Sequence, residues 1–244
     1  MATTQDDRQG QVVMVTGAGS GIGAAIALAF ADTAHTVLCV GRRQGSCAAT
    51  VDRIQHLGGQ AAALVCDIRD SASVNATIAQ TVATYGGLDI LVANAGIADN
   101  RSVVDTTDDL LDDILATNVR GTFACCRAAF HHMQTRRQGA IITIGSVVSH
   151  KGYAQQSAYA ASKHAVLGFT RSLCAEAQEY GVRVACVMPG GVATEMVRKT
   201  RPDLDGNQMI QPQDVADAVR YLVDLPPRIA IDSICIRRWD APSQ

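Results

Sequence analysis

Seven short apolar runs recur along this chain, each separated from the next by a longer stretch with helical periodicity. They are 11–16 (QVVMVT), 36–40 (TVLCV), 61–66 (AAALVC), 88–93 (LDILVA), 140–145 (AIITIG), 182–188 (VRVACVM) and 231–237 (IDSICIR). Helical patterns fill 21–32, the stretch ending at Leu57, 71–85, 107–137, 157–180 and 212–224. The long 107–137 region reads as two helices meeting near Asn118. Strands that are nearly all apolar and alternate with helices predict a parallel sheet covered on both faces. At 244 residues, with no repeat, low-complexity tract or Pro/Ser-rich linker, the expectation is one α/β domain over 1–244. Its sheet should have about seven strands flanked by helices on both faces. The exception to the pattern is 194–211, polar and punctuated by Pro202 and Gly206. A long irregular stretch inside a compact domain is commonly functional, and a substrate lid is the reading here.

Charge narrows the partners. The formal net charge is −2 and no long run of one sign occurs, which gives no support for a nucleic-acid partner. The N-terminus, MATTQDDRQG, does not look like a secretory signal, and the longest apolar run, 21–31, is too short to span a membrane. A cytoplasmic protein without a membrane partner is expected. The eight cysteines lie mostly inside apolar segments and form no C-x-x-C, so they read as buried free thiols. The six histidines have no ligand spacing; His131-His132 sits beside Arg136 and Arg137 on what reads as a helix surface. No metal is expected.

The first strand runs into Thr16-Gly17-Ala18-Gly19-Ser20-Gly21-Ile22-Gly23. Glycines there permit a tight turn and a close backbone approach to a pyrophosphate, and the following helix offers its positive dipole end. The strand-before, helix-after context is the one that supports dinucleotide binding. A cofactor without a 2′-phosphate is usually held by an acid at the end of the second strand. Here that point reads Val40-Gly41-Arg42-Arg43, and no acid lies between Asp32 and Asp52. Gly41 should leave room, and Arg42 carries a fork of donors suited to a phosphate. NADP(H) is therefore expected over NAD(H), unless both arginines are solvated caps of the next helix.

Tyr159 and Lys163 are four residues apart in a helical stretch, with Ser146 upstream. Residues at that spacing share a helix face. A phenol titrates near 10, and a neighbouring ammonium favours its ionised form. The pair is a plausible device for moving a proton on or off a hydroxyl.

Taken together, these residues resemble the short-chain dehydrogenase/reductases, in their shorter branch of about 250 residues, over essentially the whole chain. The loop Gly17, Gly19, Ser20, Gly21, Ile22, Gly23 looks like the family's cofactor loop. Asp67 and Ile68 look like its adenine contact, and Ala93-Asn94-Ala95-Gly96 is similar to its Asn-Asn-Ala-Gly turn, with Ala in place of the first Asn. Pro189-Gly190, with Val192 and Thr194, looks like the segment flanking the nicotinamide. Asn118, Ser146, Tyr159 and Lys163 fall on its four catalytic positions.

The resemblance implies a doubly wound Rossmann-type fold and hydride transfer between NADP(H) and a small alcohol or carbonyl substrate. Tyr159 would exchange the proton and Ser146 would hold the substrate oxygen. Lys163 would lower the Tyr159 pKa and hold the nicotinamide ribose. Asn118 would support a water relay. A homotetramer or homodimer is also implied. Many members end in Gly-x-x-x-x-x-Asp-Gly-Gly, whereas this chain ends through Asp224, Pro226 and Pro227 to Arg237. That ending is similar to NADP-dependent 3-hydroxy-acid and serine-type dehydrogenases and points away from fatty-acid-synthesis ketoreductases.

The substrate pocket should be formed around Tyr153, Gly191, Val192 and Met196, largely apolar with few fixed charges. Lys151, Arg198 and Arg201 could meet a carboxylate, although solvation at the surface is the favoured expectation. A non-catalytic NADP(H)-binding sensor or scaffold is the alternative from another class. It would have no need of all four of Asn118, Ser146, Tyr159 and Lys163.

Overall fold

The protein is described from a computed structural model covering residues 10–32, 34–200 and 208–241. Seven strands form one sheet: β1 Gln11–Thr16, β2 His35–Gly41, β3 Gln60–Val65, β4 Ile90–Ala93, β5 Gly139–Ile144, β6 Val182–Pro189 and β7 Ser233–Ile236. The helices are α1 Gly21–Ala29, α2 Ala48–His56, α3 Ser71–Tyr85, α4 Asp108–Leu115, α5 Thr122–Arg136, α6 Ser157–Gln178, α7 Glu195–Thr200 and α8 Pro212–Asp224. Strand order is β3-β2-β1-β4-β5-β6-β7, and every pairing is parallel. The doubly wound α/β fold expected from the strand–helix alternation is therefore present.

Alternation along each strand builds two cores. Val13 and Val15 of β1, with Val37, Val92 and Val187, face α1 and α8 through Ile26, Phe30, Val215 and Val219. Val12 and Met14 point the other way, toward Val74 and Ile78 of α3, Cys125 and Met133 of α5, and Leu173 of α6. Both faces of the central strands are thus dry, which is why those segments read as unbroken apolar runs. The edge strands differ: β3 and β7 carry exposed positions, and β7 shortens to Ser233–Ile236. The order in which strands are added to the sheet reverses between β1 and β4, and in such sheets ligands bind outside the strands' carboxyl ends at that switch point. The Gly17–Gly23 turn, Arg42, Asp67, the Asn94–Gly96 turn, Ser146 and Gly190 all follow the carboxyl ends of their strands.

Two local differences from the sequence reading matter for the site. The 107–137 region holds two helices that meet near Asn118, as expected, but their junction is a π-helical segment, Ala116–Gly121, through which α4 continues into α5. The stretch read as irregular from 194 begins with helix α7. Its base is pinned where Ala193 N donates to the Ile210 carbonyl (2.8 Å) and Ile210 N to the Gly191 carbonyl (3.2 Å). The remainder of the expected lid, 201–207, lies outside the described residues. Among the described residues, no helix is long and apolar enough to cross a membrane.

Candidate active site

Strand β1 ends at Thr16, whose Oγ1 accepts from both Asn94 N and Ala95 N, each at 3.0 Å. Asn94 Nδ2 donates back to the Thr16 carbonyl (2.9 Å). The glycine turn and the turn after β4 are thereby locked together. Gly17 sits at φ +68, and a Cβ there would come within 3.0 Å of Ala95 Cα. A Cβ on Gly23 would lie 2.2 Å from the Gly17 carbonyl oxygen, so α1 can start only with a glycine against this turn. Ser20, the N-cap of α1, makes no side-chain capping bond. The first N–H groups of that helix therefore present an uncapped positive end, the arrangement that suits a phosphate.

A groove of about 360 Å³ runs over this turn, lined by Gly17, Ser20, Gly21, Ile22 and Gly23 and by Arg42, Asp67, Ile68, Asn94, Ala95 and Gly96. It continues past Ser146, Tyr159, Lys163, Pro189, Gly190, Val192 and Thr194. Of the residues expected to hold a cofactor, Gly19 and Arg43 are not on its wall. A Cβ on Gly19 would meet the Ser46 carbonyl oxygen at 2.3 Å, so this glycine serves the packing of the 42–47 turn. Arg43 is exposed. Gly41 does not leave the space expected of it: a Cβ there would lie 2.2 Å from Ser46 Oγ and 2.9 Å from Cys47 Sγ.

Asp67 is joined by a residue the sequence reading missed. Arg69 grips its carboxylate through Nε (3.0 and 3.1 Å) and Nη2 (2.7 Å), and also lines the groove. That hydrogen bonding, with Arg42 nearby, holds the Asp67 carboxyl below its usual range. The signal was present as a basic residue two positions after the acid, but the spacing alone does not show that the guanidinium turns back.

Behind the groove lies a closed polar network. Asn118 is fully buried; it donates to the Ile97 carbonyl (2.9 Å) and to Ser162 Oγ (3.0 Å), and accepts from Ile97 N (2.8 Å). Ser162 donates to the Tyr159 carbonyl at 2.7 Å. Ser149 accepts from Ser146 N (3.2 Å) and donates to the Lys163 carbonyl (2.9 Å), which ties the turn after β5 to α6. Ser146 Oγ accepts from Val148 N and donates to the Pro189 carbonyl, both at 3.4 Å, and it also hydrogen-bonds the Tyr159 hydroxyl.

Tyr159 and Lys163 do share a face of α6, with the ammonium 5.7 Å from the phenol ring centre. The electrostatics differ from expectation. Burial raises the phenol above its ordinary value, opposed only by a hydrogen bond with Ser146. Lys163 Nζ donates to the Ile144 carbonyl (2.8 Å), and burial pulls its pKa down to about 8. Desolvation of the two groups outweighs any pull of the ammonium on the phenol.

On the far side of Tyr159 a second cavity of about 300 Å³ opens; it shares Ser146, Tyr159, Gly190, Met196 and Val197 with the first. Tyr153, Gly191 and Met196 line it as expected, whereas Val192 lines the first groove. It is less apolar than expected, because Lys151, Arg237 and Arg238 are on its wall. The two arginines were missed: they belong to the chain's end, and nothing in their local sequence links them to residue 151.

A family description, short chain dehydrogenase, matches residues 11–205. The chain is 40% identical over 200 residues to the short-chain reductase protein NovJ of Streptomyces niveus, covering 82% of this chain and 76% of that one. It is 34% identical over 222 residues to the 3-oxoacyl-(acyl-carrier-protein) reductase FabG of Escherichia coli K12, covering 88% and 90% of the two chains. A metagenomic short-chain oxidoreductase solved in complex with NADP superposes with a TM-score of 0.83 at 29% identity, over 94% of this chain and 97% of that one. Because these relatives include a FabG, they do not separate the branches that the chain's ending was read to distinguish.

Proposed function

This chain belongs to the short-chain dehydrogenase/reductase family, and we propose that it is an NADP(H)-dependent oxidoreductase acting on a small carbonyl or alcohol. The observation that carries the reading is the meeting of two cavities at Ser146 and Tyr159. One has the walls of a dinucleotide site; the other offers a space from which a second molecule could reach the same two hydroxyls.

The groove fits the cofactor. The uncapped start of α1 and the Gly17–Gly23 turn would hold the pyrophosphate, and Asp67, Ile68 and the Asn94–Gly96 turn would hold the adenosine half. Lys163 would hold the nicotinamide ribose. Arg42 enters the groove at the end of β2 with no acid on its turn, which suits a 2′-phosphate. When bound, NADPH supplies a hydride to the carbonyl carbon and leaves as NADP⁺.

The protein's own residues do the rest. Tyr159 donates its phenolic proton to the carbonyl oxygen, completing the conversion of C=O to CH–OH. A phenol raised by burial is neutral at pH 7, the form that reduction requires. Ser146, whose bonds to Val148 N and the Pro189 carbonyl are long and which already hydrogen-bonds Tyr159, turns to the substrate oxygen. Asn118 holds the Ile97 turn and α6 in register, and so sets where Tyr159 points. In oxidation the same groups run in reverse, with Tyr159 as base once Lys163 is drawn toward it.

We further infer one catalytic unit over the whole chain, with α7 as the start of a lid, working in the cytoplasm as a homodimer or homotetramer. The test of the central reading is NADPH consumption against a panel of aldehydes and ketones. Tyr159→Phe should lower turnover by about 10³-fold while NADPH still binds. Retained turnover removes Tyr159 from its role. Tight NADPH binding with no turnover in the parent protein supports a sensor instead.

A further inference from the structure

The cavity on the substrate side of Tyr159 has an uneven charge. Lys151, Arg237 and Arg238 line it, and no carboxylate does among the described residues. The three cations come from two distant parts of the chain. Lys151 follows the short turn after β5, and the arginines follow β7 directly. They also differ in how they are held. Arg237 Nη1 donates to the carbonyls of Arg238 (3.3 Å) and Trp239 (3.3 Å), and to that of Ala241 (2.6 Å). It shapes the terminal turn and is committed to it. Arg238 has one nitrogen, Nε, on Asp240 at 3.3 Å, and that acid lies outside the cavity wall. Lys151 rests over the ring of Tyr153, its ammonium 5.4 Å from the centre. A contact of that kind orients a side chain without neutralising it.

The same wall carries the apolar side chains of Val147, Val148 and Met196 and the amides of Asn100 and Gln156. A ligand that fills this space meets hydroxyl groups, hydrocarbon and positive charge on one wall. We infer that the cavity takes an anionic carbonyl compound, its C=O at Tyr159 and Ser146 and its carboxylate or phosphate oxygens at Lys151 and Arg238. This rests on the reductase reading for the C=O end alone; the anion end stands on the cavity wall. Two like charges on the wall of one cavity attract an anion more strongly than either alone in open solvent, and the attraction weakens with salt. Arg237 acts through the turn it holds and is a positioning residue.

The probes are 4-oxobutanoate against its methyl ester, and glyceraldehyde 3-phosphate against glyceraldehyde, each with NADPH and the full chain. A carboxylate-selective site favours the first acid, a phosphate-selective site the second. In either case kcat/KM for the anion should exceed that for its neutral partner by about tenfold at low salt, and the ratio should fall toward one at high salt. Lys151→Gln combined with Arg238→Gln should bring the ratio within about threefold of one, and Lys151→Arg with Arg238→Lys should restore it. A ratio near one for both pairs in the parent protein overturns the proposal while leaving the reductase reading intact. So does a ratio unmoved by salt and by the double substitution.

Binding separates the other failure. Succinate titrated calorimetrically into the protein holding NADP⁺ should bind about tenfold more weakly to the double variant. If no probe turns over but that difference is found, the anion site stands and the reductase reading falls. If no succinate binding is found in either protein, the anion site falls.

Discussion

The polar groups behind Tyr159 and the cations around its two cavities are held in opposite ways. Asn118, Ser149 and Ser162 are buried, and the turns they join are far apart in sequence. Their side chains hydrogen-bond backbone groups and one another, so removing one side chain leaves several partners short of a bond. Arg42 and Lys151 stand at the rim, touch few atoms and can be lost without stranding anything buried. Arg69 is intermediate, since its grip on Asp67 is strong in geometry but open to water. The difference separates placement from choice. In the proposed reading the buried network places the proton-handling groups, whereas the rim chooses which phosphate and which substrate tail enter.

The sharpest way to break this contrast is at Asn118. Asn118→Ala would leave Ile97 N–H and C=O and the Ser162 hydroxyl short of a partner in a dry site. A loss of about 3 kcal/mol in unfolding free energy is expected, since each stranded buried group costs roughly 1–3 kcal/mol. Urea denaturation measures it. A loss below about 0.5 kcal/mol, the range of ordinary surface changes, would mean that the network is not the rigid frame described here.

That frame was only partly legible in the sequence. Strands β1, β2, β4, β5 and β6 announce themselves because both faces are buried, leaving unbroken apolar runs such as ILVA and AIITI. The edge strand β7 was overextended because it alternates with exposed residues. Asn118, Ser146, Tyr159 and Lys163 could be picked out, and the structure brings the last three to one wall with Asn118 behind it. The π-helical segment around Asn118 could not, because no periodicity marks one extra residue per turn. Gly121 is its trace: a Cβ there would lie 2.7 Å from Ile68 Cδ1, a contact visible only in three dimensions. The direction of the Tyr159 shift was missed for a related reason. Spacing shows who is adjacent, and burial, which here outweighs adjacency, is a property of the whole fold.

Lys163 sharpens the comparison from inside the frame, because its buried amine titrates within reach of ordinary buffers. Its pKa is lowered to about 8, so the charged form carries a burial cost in the folded, cofactor-free protein. Below about 8 the group is charged in both folded and unfolded chains and that cost is fully present. Between about 8 and the unfolded value near 10.4 the folded chain has already released its proton, so this group's contribution to stability improves as pH rises. Cofactor affinity should move the other way. If ribose hydroxyls and phosphates favour the ammonium, NADPH binding weakens as pH climbs through 8, by up to tenfold per pH unit. Fluorescence titration from pH 6.5 to 9.5 checks this, and Lys163→Met should flatten the profile. A parent profile already flat would show that the charge of Lys163 is not used.

The smallest effect is expected at the rim, and it tests the other half of the contrast. Arg42 lies exposed on the groove wall, and its loss strands no buried partner. Arg42→Ala should leave the unfolding free energy within about 0.5 kcal/mol. The same substitution should raise the NADPH KM by about tenfold and the NADH KM by less than about twofold, the mark of a group that meets only the 2′-phosphate. Equal changes in both constants would assign Arg42 to general attraction for the pyrophosphate, and NADP(H) preference would then have to come from elsewhere on the groove, with Arg69 the other guanidinium on its wall. A clear loss of stability would be more damaging. It would mean that the turn packed under Gly41 by Ser46 and Cys47 depends on the arginine, and that placement and choice are not separate in this half of the molecule.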